Sequence, residues 1–134
     1  MSTETVRVDW ITDQVFLLRD RNSFPIVMTQ PQGVNGADLL PLSLIGCAAW
    51  DIMAIVRKQQ QHVTRLEVIA DSERDTEPPW RFKKIHILYR FTGRNLRAAS
   101  IKRAIELSET KYCSTYATLR DTVEIQSEYE IVPE

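Results

Sequence analysis

A chain of 134 residues fits one domain, and that length buries roughly two-thirds of the unfolded surface, so folding needs no metal or disulfide staple. The 43% hydrophobic and 26% charged fractions are those of an ordinary soluble protein and exclude the disordered and collagen-like classes. With 17 basic against 18 acidic residues the net charge is −1, a balance that favours neither nucleic acid nor an anionic membrane as partner.

No segment runs uncharged and apolar for the ~20 residues of a membrane span. The start, Met1-Ser2-Thr3-Glu4, lacks the basic and apolar regions of a secretory signal, so a cytoplasmic location is expected. Thiols stay reduced there, which makes the two cysteines free, redox-active or inert rather than permanently bridged.

The first thirty residues read as strands. Val6, Val8 and Trp10 alternate with Arg7 and Asp9, the period of a half-buried strand. Residues 14–18 are a second apolar run, Asp20-Arg21-Asn22-Ser23 a turn, and residues 24–29 a third strand, together an antiparallel meander. Punctuation follows at Gln30-Pro31-Gln32-Gly33 and Asn35-Gly36. Residues 38–61 then read as a helix, with Asp38 as its N-cap and Pro41 in the first turn, where the missing N–H costs nothing. From Leu39 to Val56 it is apolar on nearly every face, with Asp51 the single charge, and a helix of that kind is buried.

Two long strands follow, the first around Leu66, Val68 and Ala70. The second sets Ile85, Ile87, Tyr89 and Phe91 on one face against Lys84, His86, Leu88 and Arg90 on the other. Residues 96–110 form an amphipathic helix with Ile101, Ala104, Ile105 and Ser108 on one stripe, and residues 112–119 a further helical turn or two. Val123, Ile125, Ser127, Tyr129 and Ile131 close the chain as a strand. The order is βββ-α-ββ-α-α-β without a linker or repeat, hence one α+β domain over residues 1–134. A wholly apolar helix is hard to bury in one small domain, so pairing of two copies is expected.

Two residues stand out chemically. Cys47 lies among the small residues Gly46, Ala48 and Ala49, which let another segment come close. Cys113 falls where one helix stops and the next begins, and Lys111 beside it favours a thiolate. Each cysteine equally fits a buried small hydrophobe, and Asp51, one turn after Cys47, disfavours a thiolate there. His62 and His86 are isolated, with no Cys-x-x-Cys or His-x-x-x-His spacing, so no metal site is expected. Nucleotide loops and a serine nucleophile elbow are also missing.

The segment from Asp38 to Trp50, with Gly46-Cys47-Ala48 at its centre, resembles the central-helix signature of the OsmC/Ohr family. Cys47-Ala48-Ala49-Trp50-Asp51-Ile52-Met53, Thr92-Gly93-Arg94-Asn95-Leu96 and Glu109-Thr110-Lys111-Tyr112-Cys113-Ser114 are similar to the less characterised OsmC-like branch. The resemblance runs from about Val6 to the terminal strand. It implies an intertwined homodimer with antiparallel sheets wrapped round a buried central helix. It also implies a two-cysteine thiol peroxidase without metal or organic cofactor. Cys47 would attack an organic hydroperoxide and become a sulfenic acid, and Cys113 would resolve it to a disulfide that a dithiol reduces. Asp38 stands in for the family's site glutamate, one methylene shorter, and Arg19 or Arg21 for the arginine that steadies the thiolate. Two other uses of the same fold are a dimer that holds a small apolar ligand and a thiol redox sensor without turnover.

Overall fold

A computed structural model describes residues 2–29 and 32–134; Met1 and the expected turn at Gln30-Pro31 lie outside them. The chain divides into two compact units, Met1–Leu40 and Pro41–Glu134.

The first unit holds three strands, β1 (Arg7–Thr12), β2 (Val15–Arg19) and β3 (Pro25–Met28), in the antiparallel order β1-β2-β3. Pairing of Trp10 with Phe16 and of Leu18 with Ile26 fixes the register of the expected meander. The β2–β3 turn forms because the Asp20 carboxylate accepts the backbone N–H groups of Asn22 (2.8 Å) and Phe24 (2.9 Å). Val8, Trp10, Ile11 and Val27 leave apolar surface open. A 3-10 turn, Gly36–Asp38, follows. Its cap is Asn35, whose side chain accepts from the Ala37 N–H, and not Asp38, which is the turn's own last residue. The amide side chain reaches N–H groups that Asp38, already inside the turn, cannot.

The second unit is built round helix α1 (Leu39–Lys58), whose first two residues belong to the preceding unit. Pro41 sits in its first turn as expected, and Arg57 and Lys58 end it, where carbonyl groups gather negative potential. Strands β4 (His62–Arg74) and β5 (Phe82–Arg94) pair antiparallel over their length. Helix α2 (Ala98–Leu107) runs into a π turn, Ser108–Tyr112, then α3 (Ser114–Leu119), and strand β6 (Glu124–Pro133) closes the order β4-β5-β6. β6 lies parallel to β5, so this sheet is mixed rather than wholly antiparallel. The helical crossover between the two strands carries the chain back to start in the same direction.

Ile85, Ile87, Tyr89 and Phe91 on one face of β5 are completely buried with Leu44, Ala48, Ile52 and Val56 of α1 and Ile101, Ala104 and Ile105 of α2. Each large aliphatic side chain in that cluster contributes about 1.5–3 kcal/mol of transfer free energy. The opposite face of β5 carries the charges: Arg90 pairs with Glu67 and Glu130 on the flanking strands, and Lys84 with Glu124. Gly93 ends this packing because a Cβ there would stand 2.1 Å from the His62 carbonyl oxygen.

Residues Gly36–Lys58 are long and apolar enough by composition to cross a membrane, contrary to the reading that no segment is. The single Asp51 charge does not disqualify so apolar a window. A core helix passes the same test, and the Leu44–Ala48–Ile52–Val56 stripe is in the core. The rest of α1 is not buried within one chain: Leu42 is 50% and Trp50 81% exposed. Expected burial on all faces is thus met on one face only.

Candidate functional site: a paired thiol centre

The fold brings together the two cysteines that lie far apart in the sequence. The Cys47 Sγ, the Cys113 Sγ and a carboxylate oxygen of Asp51 lie within 4.8 Å of one another. Each has a local reason for its position. Cys47 and Asp51 are four apart on α1 and project from one helical face. Cys113 ends the π turn, its N–H bonded to the Ser108 carbonyl at 2.8 Å, and its Sγ caps α3 by accepting the Tyr116 N–H at 3.4 Å. Single π turns are frequent at functional sites, because the inserted residue re-aims the side chains downstream of it. The Ser43 and Thr115 hydroxyls, 3.4 Å apart, join α1 to α3 beside the pair.

The two thiols are unlike. Cys47 is half-buried and Cys113 buried. Burial works against ionisation of Cys47, but hydrogen bonds from the Cys113 thiol and from the backbone and hydroxyl of Thr115 outweigh it. The Cys47 thiol is held below its ordinary value, with the Asp51 charge opposing. Cys113 is pushed up to about 11, first by burial and then because its proton is engaged with Cys47. This reverses the expectation that Cys113 favours a thiolate. Lys111 is exposed, its ammonium over the Tyr112 ring at 5.4 Å, and gives Cys113 no compensating charge. Thr115, whose backbone and hydroxyl both donate to Cys47, escaped the sequence reading. Its signal was the Cys-Ser-Thr start of a helix, where hydroxyl and N–H donors gather.

Asp51 is half-buried and its Oδ2 has no hydrogen-bond partner among the described residues. Burial raises its carboxyl above the usual carboxylate range. Asp51 also lines a largely apolar cavity of about 410 Å³ with Trp50, Ile55, Leu107 and Tyr112. A second acidic group lies deeper. Glu109 accepts from the Ser127 hydroxyl and, at 3.5 Å, from the Tyr89 hydroxyl. Burial raises both the Glu109 carboxyl and the Tyr89 phenol, the latter strongly.

The remaining expected site residues belong to the amino-terminal unit. Arg19 ends β2 and donates from Nη1 to the Ser23 carbonyl at 2.8 Å; Asp38 closes the 3-10 turn. Arg21 pairs with Glu4 at 2.5 Å. His86 lies in β5 with Glu128 at 3.6 Å, and His62 opens β4; neither belongs to a cluster of three or more metal-ligating side chains among the described residues.

A small α+β protein with two unbridged thiols beside the middle of its longest helix is the class that fold and site define. Within it, the sequence model of the family described as OsmC-like protein matches residues 29–128. Protein YhfA of Escherichia coli K12 is 35% identical over 129 residues, which cover 94% of this chain and 96% of that one. The chain belongs to the OsmC-like family. Among solved structures, a hypothetical protein of Aquifex aeolicus superposes with a TM-score of 0.89 at 23% identity, over 100% of this chain and 99% of that one. The organic hydroperoxide resistance protein OhrB of Bacillus subtilis shares the fold at a TM-score of 0.62 and 14% identity, over 96% and 98%.

Proposed function

We propose that this protein reduces organic hydroperoxides with its two thiols. The observation that carries the reading is the asymmetric pair: two sulfurs within 4.8 Å, Cys47 lowered and half-exposed, Cys113 raised and buried. A peroxidatic sulfur has to be thiolate and reachable, whereas a resolving sulfur stays protonated until called on. The Cys47 thiolate attacks one peroxide oxygen, the O–O bond breaks, and the alkoxide leaves as alcohol after taking a proton. Cys113 then attacks the sulfenic sulfur, releases water and forms the disulfide, and an external dithiol restores both thiols. The apolar hollow at Trp50 and Tyr112 suits an organic tail better than hydrogen peroxide. The hydroperoxide resistance protein with the same fold supports this reading.

Arg19 and Asp38 keep the roles that the family resemblance implies, a cation near the thiolate and its carboxylate partner. The homodimer belongs to the same proposal, as does a single domain: the family match crosses the boundary between the two compact units. The decisive experiment is consumption of cumene hydroperoxide by reduced protein with a dithiol. Wild type turns over many times, Cys47→Ser not at all, and Cys113→Ser once before stalling. Equal steady-state rates for the three would overturn the assigned roles. No consumption above the dithiol background would transfer the site to the second reading, a dimer holding an apolar ligand in that hollow.

A further inference from the structure

The Cys47 sulfur, the Cys113 sulfur and the Asp51 carboxylate form a three-donor cluster whose ligands come from two separate segments, which is why no spacing rule finds it in the sequence. We propose that in the reduced protein this cluster is a site for one thiophilic divalent cation of the zinc type, exclusive with the disulfide. The site rests on the geometry of the reduced thiols and not on the peroxidase reading.

Donor separation is the first argument. Ligand bonds of roughly 2.0–2.3 Å to a tetrahedral ion put neighbouring donor atoms about 3.3–3.8 Å apart. The three atoms already lie within 4.8 Å, so side-chain rotations that move them by about one ångström close the set. Two ligands are one turn apart on a helix and the third sits at the cap of another helix, so the backbone holds all three. Asp51 supplies the second argument. Its Oδ2 is shielded from solvent, accepts no hydrogen bond, and the carboxylate makes no ion pair among the described residues. A shielded acceptor of this kind lacks a partner, and burying it uncompensated is costly. A cation on the two sulfurs is that partner.

Two sulfurs and one oxygen select zinc, cobalt or cadmium over magnesium or calcium, which take oxygen donors. Three protein donors leave the fourth tetrahedral position to water. Metal binding displaces the thiol protons and holds both sulfurs as metal thiolates, so neither is free to form the disulfide. Two-electron oxidation by a hydroperoxide, itself reduced to alcohol and water, joins the sulfurs and expels the ion.

Cobalt(II) is the probe, titrated into reduced, untagged full-length protein under anaerobic conditions. The expected result is one cobalt per chain, with sulfur-to-cobalt charge-transfer bands, tetrahedral visible bands, and displacement by one equivalent of zinc. Cys47→Ser and Cys113→Ser each lose the two-sulfur spectrum. Asp51→Asn, which keeps size and both thiols, weakens binding by about tenfold or more. Zinc also protects both thiols from iodoacetamide. Absence of charge-transfer bands in wild type, a spectrum indifferent to either serine variant, or undiminished affinity in Asp51→Asn overturns the site. None of these readouts uses a peroxide, so a protein without peroxidase activity still answers the question.

Discussion

At the site, burial and hydrogen bonds set the two sulfurs apart. Thr115 donates to Cys47 from both backbone and side chain, and Cys113 donates its own proton, so the thiolate charge is shared with neutral donors. A group held below its ordinary value is ionised at lower pH than a free thiol. Alkylation of Cys47 by iodoacetamide therefore rises with pH and reaches its plateau at lower pH than an ordinary thiol, while Cys113 is still climbing toward its pKa of about 11. Mass spectrometry of each cysteine peptide after timed labelling separates the two profiles. A Cys47 profile that climbs together with that of Cys113 contradicts the division of labour. Both cysteines were legible in the sequence, and the roles proposed for them rest on family resemblance. Their ionisation was not: Lys111 beside Cys113 pointed the wrong way because adjacency in sequence says nothing about burial. Asp51 was read only as a repelling charge, since a pattern does not show that its oxygen has no partner.

Elements formed largely as periodicity indicates. The alternation in β5 places Ile85, Ile87, Tyr89 and Phe91 inside, and the α2 stripe puts Ile101, Ala104, Ile105 and Ser108 there too. What period cannot show is pairing direction, and β6 lies parallel to β5 because of a crossover whose path depends on packing. Periodicity also missed the π turn, which consists of ordinary helical residues and owes its extra residue to the Ser108 carbonyl reaching Cys113. Gly93 tests this level of description. It is fully enclosed in the β4–β5 ladder, where an added Cβ meets backbone that has no flexible end to swing aside. Gly93→Ala is expected to cost about 1–3 kcal/mol, the range for overpacked sites, read as a fall in urea midpoint at unchanged slope. An unaltered midpoint would mean that β4 and β5 separate there at little cost.

For the molecule as a whole, each of the two units leaves large apolar surface open in one chain. Trp50 and Leu42 on α1, and Val8, Trp10 and Ile26 on one face of the first sheet, are large apolar groups in water. Scattered singly they would need no account, but a helix and a sheet that each keep an apolar face open mark association surfaces. Light scattering at micromolar concentration should give a mass near twice 15.5 kDa. Trp50→Asp places a charge on the open face of α1 without touching the core stripe, and should move that mass toward 15.5 kDa while the circular dichroism of the chain is kept. A wild-type mass of 15.5 kDa would leave those faces to another occupant.

The cap of α3 ties the state of the thiols to local order. The sulfur that receives the Tyr116 N–H is the one that a disulfide would consume. A bridged sulfur is pulled toward its new bond and keeps less of its charge for that amide, so the first turn of a six-residue helix would loosen on oxidation. The chain would then carry a short segment whose fraying reports its own electron count, next to exposed Ser114 and Tyr112, where another protein could read it.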